Sequence, residues 1–117
     1  MKFVLLFNES GEAIAKRTHP EEGPGYWAGW AAYMKELGES GVMLGGHGLQ
    51  PSETATTLRS KNGEHVVHDG PYAETKEMLG GFVSIDVESL DEALAWASRS
   101  PALDGGAVEI RPILTGM

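Results

Sequence analysis

Apolar positions along this chain change their period several times, and each change marks an element. Phe3-Val4-Leu5-Leu6-Phe7 is a short continuous apolar run, which reads as a strand buried on both faces. Residues 9–25 are polar and broken by Gly11, Pro20, Gly23, Pro24 and Gly25, so they read as a loop with little regular structure. From Tyr26 the spacing becomes helical. Trp27, Trp30, Ala31, Met34 and Leu37 form one stripe, Tyr26 and Tyr33 flank it, and Gly38 or Gly41 supplies a left-handed stop. Val42-Met43-Leu44 predicts a second strand, leading into Gly45-Gly46-His47-Gly48-Leu49-Gln50-Pro51. Thr54 to Arg59 is rich in β-branched residues, and Asn62-Gly63 before His65-Val66-Val67-His68 predicts a type I′ hairpin.

Pro71 to Leu79 is polar, with a helical turn expected in its middle. Gly80-Gly81 then introduces a strand in which Val83, Ile85 and Val87 alternate with Ser84 and Asp86, the pattern of one buried face. Ser89 and Glu92 form a capping box for a helix carrying Leu90, Ala93, Leu94 and Ala97 on one face, and Pro101 limits its length. Val108 and Ile110 alternate with Glu109 and Arg111 in a last strand closed by Pro112. The order is strand, helix, strand, hairpin, strand, helix, strand. It predicts an α+β domain with a largely antiparallel sheet and two main helices on one face. The other sheet face is left to polar groups or to a second chain, and Phe3, Phe7 or Phe82 there favours a dimer.

Composition narrows the function classes. A 12.5 kDa chain of 117 residues folds to about 6,000 Å² of surface, enough for one core, and residues 1–117 read as a single domain. The formal charge of −8 leaves no basic stripe for nucleic acid and no attraction to anionic membranes. No apolar run is long enough to span a bilayer, and the N-terminal run is too short for a secretory signal, so a cytoplasmic protein is expected. Without cysteine there is no disulfide, thiolate metal site or thiol nucleophile. His65 and His68 fall on opposite strand faces, so no metal is expected, and nothing in the chain implies a cofactor.

Candidate chemistry concentrates in Asp69-Gly70-Pro71-Tyr72-Ala73-Glu74-Thr75-Lys76-Glu77, which follows a strand end. Asp69 is a candidate general base, with Tyr72 and Lys76 as groups that orient a ligand; the same residues also suit a plain turn and a solvated face. His68 and Asp69 are not a dyad, because adjacent strand residues point to opposite faces. His47, among glycines, is a candidate acid or base near neutral pH, or a surface histidine in a loop. Tyr26 and Trp30 are candidate pocket walls, although aromatic residues at helical spacing more often belong to a core.

The Asp69–Glu77 segment, followed by Leu79-Gly80-Gly81-Phe82, resembles the signature of the DGPF proteins within the YCII-related superfamily, with Tyr72 where the naming motif has phenylalanine. Phe3-Val4-Leu5-Leu6, Gly45 to Pro51 and Val108-Glu109-Ile110-Arg111-Pro112 agree with it, so the resemblance spans almost the whole chain. It implies a ferredoxin-like fold of the dimeric α/β-barrel type, a homodimer, and a bacterial cytoplasmic setting often linked to sigma-factor genes. It also implies a histidine–aspartate dyad near the first helix in one branch. In this chain that helix begins Tyr26-Trp27 and holds no histidine; His19 lies upstream of it, and His47 stands where many relatives carry glutamate. The combined expectation is a homodimer that binds a small molecule, with Asp69 and His47 as acid/base candidates and Tyr72, Lys76, Tyr26 and Trp30 as ligand contacts. Lyase- or isomerase-like chemistry would fit those groups. The alternative is a non-catalytic accessory domain acting with a sigma-factor system.

Overall fold

The computed structural model describes residues 1–116. β1 (Lys2–Ser10) lies inside the sheet between two neighbours, which is why its apolar run is continuous. Phe3, Leu5, Phe7 and Glu9 turn to one face and are buried, while Val4, Leu6, Asn8 and Ser10 turn to the other and are only partly covered. The chain then runs through α1 (Gly11–Lys16), α2 (Gly23–Ser40) and β2 (Met43–Gly48). A 3-10 turn over Ser52–Thr54 precedes the hairpin β3 (Thr56–Lys61) and β4 (Glu64–Asp69). The remaining elements are β5 (Glu77–Asp86), α3 (Leu90–Ser98), a second 3-10 turn over Pro101–Leu103, and β6 (Ala107–Pro112).

Four strands form one antiparallel sheet in the order β2-β5-β1-β6, a ferredoxin-like α+β arrangement. The hairpin β3–β4 is a separate two-stranded sheet inserted between β2 and β5. The core lies between the main sheet and the helices. Phe3, Leu5, Phe7, Val83 and Ile85 meet Tyr33 and Leu37 of α2 and Ala93 of α3. Of the three phenylalanines that would favour a dimer if they lay on the open sheet face, Phe3 and Phe7 are under the helices; Phe82, next to buried Val83, is on the open side with Leu6.

Several local signals read from the chain hold physically. Gly41 ends α2 with φ +83°, and Asn62 and Gly63 take φ of 52° and 80°, the left-handed pair of a type I′ turn. Ser89 Oγ accepts from Glu92 N, while the Glu92 carboxylate reaches back one residue further, to Glu88 N.

Other segments differ. Residues 9–16 are not loop: the alternation of β1 continues to Ser10, whose Oγ caps α1 by accepting from Ala13 N. Pro71–Lys76 contains no helical turn, and Gly80-Gly81 lies inside β5 rather than before it. His47 belongs to β2, not to a loop. A third helix, α1, joins the two expected ones. Leu90 and Leu94 of α3 stay about half exposed, because Ala93 and Ala97 make the inward face.

Candidate functional site

Glycine determines where a cavity forms. On the helix-facing side of the sheet, Gly46 and Gly48 of β2 pair with Val83 and Gly81 of β5, so three of those four positions carry no side chain. α2 spans the space above them with Tyr26, Trp27, Trp30 and Met34. The result is a cavity of about 210 Å³ with an aromatic roof and a backbone floor, closed on one side by Phe7 and on another by Glu9 and Arg17. A Cβ on Gly46 would stand 2.3 Å from the Phe82 carbonyl oxygen, so that glycine is required by close strand approach. A Cβ on Gly48 meets nothing within 4 Å, and Gly48 is among the residues that line the cavity.

The polar end of the cavity is a buried cluster. Glu9 is 2% exposed and Arg17 12%, and Arg17 Nη2 lies 3.1 Å from Glu9 Oε2. Tyr26 donates its hydroxyl to Glu9 Oε1 at 2.7 Å and accepts from Arg17 Nε at 2.8 Å. Arg17 also donates to the carbonyls of Leu49 and Gly80, at 2.6 and 3.1 Å, and its guanidinium lies against the Tyr26 and Trp27 rings. One arginine thus ties together β1, the turn after α1, α2, β5 and the segment after β2. The bulge of β5 opposite Phe7 and Asn8 leaves Gly80 unpaired with β1, and a Cβ there would lie 1.9 Å from Glu9 Oε2. Gly80 is therefore the residue that lets the carboxylate reach its arginine.

Burial, more than the opposing effects of Arg17 and Glu9, pushes the Tyr26 hydroxyl up to about 12. It stays protonated across the physiological range as a donor aimed at a carboxylate, an arrangement able to pass a proton between a bound oxygen and Glu9. Tyr33, buried deeper in the core and donating to the Trp96 carbonyl, is also raised to about 12 by burial. The Trp30 indole N–H is buried and has no acceptor among the described residues. A donor left in that condition costs about 1–3 kcal/mol.

The residues singled out from the sequence fall into separate places. Tyr26 and Trp30 line the cavity. His47 contributes backbone to its floor, but it pairs with Phe82, and its ring meets the Phe82 ring edge-on at 5.9 Å on the open sheet face. Asp69 is exposed at the end of β4, paired with Thr56, while His68 pairs with Thr57 and points the other way. Tyr72 and Lys76 are exposed in the following bends. Tyr72 lies under the Arg59 guanidinium and lines a second depression, of about 580 Å³, with Pro51, Ser52 and Thr75 at the hairpin base. Within one copy, then, Asp69 and Lys76 do not join Tyr26 and Trp30. Among the described residues no three histidine, aspartate or glutamate side chains converge as metal ligands.

Glu9 and Arg17 were missed in the sequence. The signal for Glu9 was present: Phe3, Leu5, Phe7, Glu9 is an unbroken period of two, which carries the carboxylate onto the buried face. Arg17 carried no comparable local signal, because its partners come from distant parts of the chain.

Comparisons agree with this architecture. The chain is 38% identical over 114 residues to an uncharacterised protein of Rhizobium meliloti, covering 94% of this chain and 89% of that one. Its fold is similar to that of 5-chloro-2-hydroxyhydroquinone dehydrochlorinase from Burkholderia phenoliruptrix, solved in complex with 2,5-dihydroxybenzoquinone, with a TM-score of 0.56, 19% identity, and coverage of 99% of this chain and 96% of that one. At that identity the likeness establishes the fold alone. The model of the YCII-related domain matches residues 1–115, and the chain belongs to that family.

Proposed function

We propose that this chain forms a homodimer that binds a small oxygenated ring compound, of hydroxyarene or quinone type, in the cavity under α2 and carries out acid/base chemistry on it. The observation that carries this reading is the match between an aromatic-roofed cavity of about 210 Å³ and the Glu9–Arg17–Tyr26 cluster at its polar end. That volume is below the range of drug-sized pockets and suits one substituted ring. Trp27 and Trp30 stack on or edge the ring, and Tyr26, whose proton points at Glu9, accepts from a ring hydroxyl while passing its own proton to Glu9, the reverse relay returning it. The fold neighbour's quinone ligand supports the ligand class.

Asp69 and His47 remain the reading's further acid/base candidates, and Tyr72 and Lys76 its orienting groups. In one copy their side chains lie away from the cavity, so in this reading they serve it across the dimer. Thermal shift with 2,5-dihydroxybenzoquinone, run on wild type and Asp69→Asn, tests this. We expect wild type to be stabilised and Asp69→Asn to lose that stabilisation while remaining folded and dimeric. Unchanged stabilisation of Asp69→Asn removes Asp69 from the site and leaves the Glu9–Arg17–Tyr26 cluster as its whole polar end. No stabilisation of wild type by this probe or by related hydroquinones contradicts the ligand class.

A further inference from the structure

The β3–β4 hairpin has no cover in its own chain. It pairs with no other strand, and neither of its strands packs substantially on another element. All but one of its strand residues are exposed; the exception, Thr57, is half-buried and donates to the Gly70 carbonyl at the hairpin base. An isolated two-stranded hairpin is at best marginally stable in water. This one nevertheless presents a directly opposed apolar pair, Leu58 and Val67, at 60% and 61% exposure. The register puts Thr56, Leu58 and Ser60 on one face with Asp69, Val67 and His65. The opposite face carries Arg59, which leans on Tyr72 at the hairpin base.

The shape of the whole chain fits an uncovered arm. Its accessible surface is 7,862 Å², against about 6,000 Å² for a folded monomer of this mass. Its radius of gyration is 16.0 Å, against about 13 Å for a compact domain. The molecule is a slab 47 × 46 × 19 Å. If each copy buries even half of the excess, the total is roughly 1,900 Å², within the range of stable protein interfaces. Charge points to the same occupant. Arg59 and Lys61 balance Glu64 and Asp69, so the hairpin is neutral in a chain of net −8, and it meets an acidic second copy with less repulsion than any like-charged surface would.

We propose that the β3–β4 hairpin is an arm whose Thr56–Leu58–Val67–Asp69 face docks on a second copy of this chain, reciprocally in a two-fold dimer. This rests on the homodimer of the proposed function and names the surface that makes it. It also places Asp69 on the docking face, so each copy presents that carboxylate to its partner.

Sedimentation velocity across a concentration series compares wild type with a Leu58→Ser, Val67→Ser double variant, with near-ultraviolet circular dichroism reporting the fold around the tryptophans. The expected result is a dimeric wild type and a variant with unchanged dichroism whose dimer dissociation constant is raised at least about 100-fold, since four apolar side chains lose their burial in each dimer. The chain has no cysteine, so single-cysteine variants label cleanly. Leu58→Cys should react with maleimide several-fold more slowly than Leu114→Cys, whose position is 79% exposed. A wild type that is monomeric at every concentration overturns both the arm and the homodimer. A double variant as dimeric as wild type, with Leu58→Cys fully reactive, overturns the arm alone and leaves the open sheet face around Leu6 and Phe82 as the dimer surface.

Discussion

Replacing Gly80 with alanine lowers the thermal unfolding midpoint by roughly 4–20 °C and abolishes ligand binding. The reason is steric, not conformational. The added methyl would fall 1.9 Å from Glu9 Oε2 and within 3.1 Å of Arg17 Nη2. Glu9 is almost wholly enclosed, so its carboxylate has no free direction in which to retreat. Either the strand bulge moves, or Glu9 gives up its arginine. The first is an overpacking strain of about 1–3 kcal/mol, and the second leaves a buried charge with reduced compensation at about 3–5 kcal/mol. For a domain of this size each kcal/mol corresponds to roughly 4 °C. The check is circular dichroism melting at matched protein concentration; a Gly80→Ala protein that melts within a degree or two of wild type contradicts the role assigned to Gly80.

Arg17→Met has the other large effect. It removes the partner of Glu9, the donor to Tyr26 and the tie between the Leu49 and Gly80 carbonyls in one step. The expected loss is about 3–5 kcal/mol, read from the denaturant midpoint, because the carboxylate stays enclosed without its counter-charge. A double variant, Glu9→Leu with Arg17→Met, separates the ion pair's contribution from packing. With both charges gone, most of the stability returns, since a buried pair is worth little more than well-packed apolar groups in its place. The same double variant has no proton acceptor beside Tyr26, so it folds without binding chemistry. If it is no more stable than Arg17→Met alone, the damage is lost packing of the arginine stem and not an orphaned carboxylate.

The order of elements was legible because each has a strong local cause. Two-residue alternation marks β5 and β6, helical spacing marks α2, and Asn62-Gly63 and Ser89–Glu92 mark a turn and a cap. The site was legible in part. Tyr26 and Trp30 stood in a stripe whose spacing spoke first for a core, and part of that stripe is core: Tyr33 and Leu37 are buried while Trp27 is half-exposed. Glu9 escaped because the proline- and glycine-rich stretch after it drew the strand boundary two residues too early. His47 misled for a related reason. Glycines on either side read as loop, whereas they are strand positions emptied of side chains to make a cavity floor, and they turn the imidazole to the other face. Asp69-Gly70-Pro71 speaks about a turn, and nothing local in it states which surface that turn will meet.

Gly48 is the position that tests the proposed ligand site in the cavity under α2. A Cβ there meets nothing within 4 Å, and valine is better suited to a strand than glycine. Gly48→Val therefore fills the cavity without disturbing the sheet. The measurement is titration of wild type and Gly48→Val with 2,5-dihydroxybenzoquinone, followed by calorimetry and by tryptophan emission, since Trp27 and Trp30 line the cavity. Wild type is expected to bind saturably with quenching, and a Gly48→Val protein that melts at or above the wild-type temperature is expected not to bind. Equal affinity in the two proteins would place the ligand elsewhere and contradict the account.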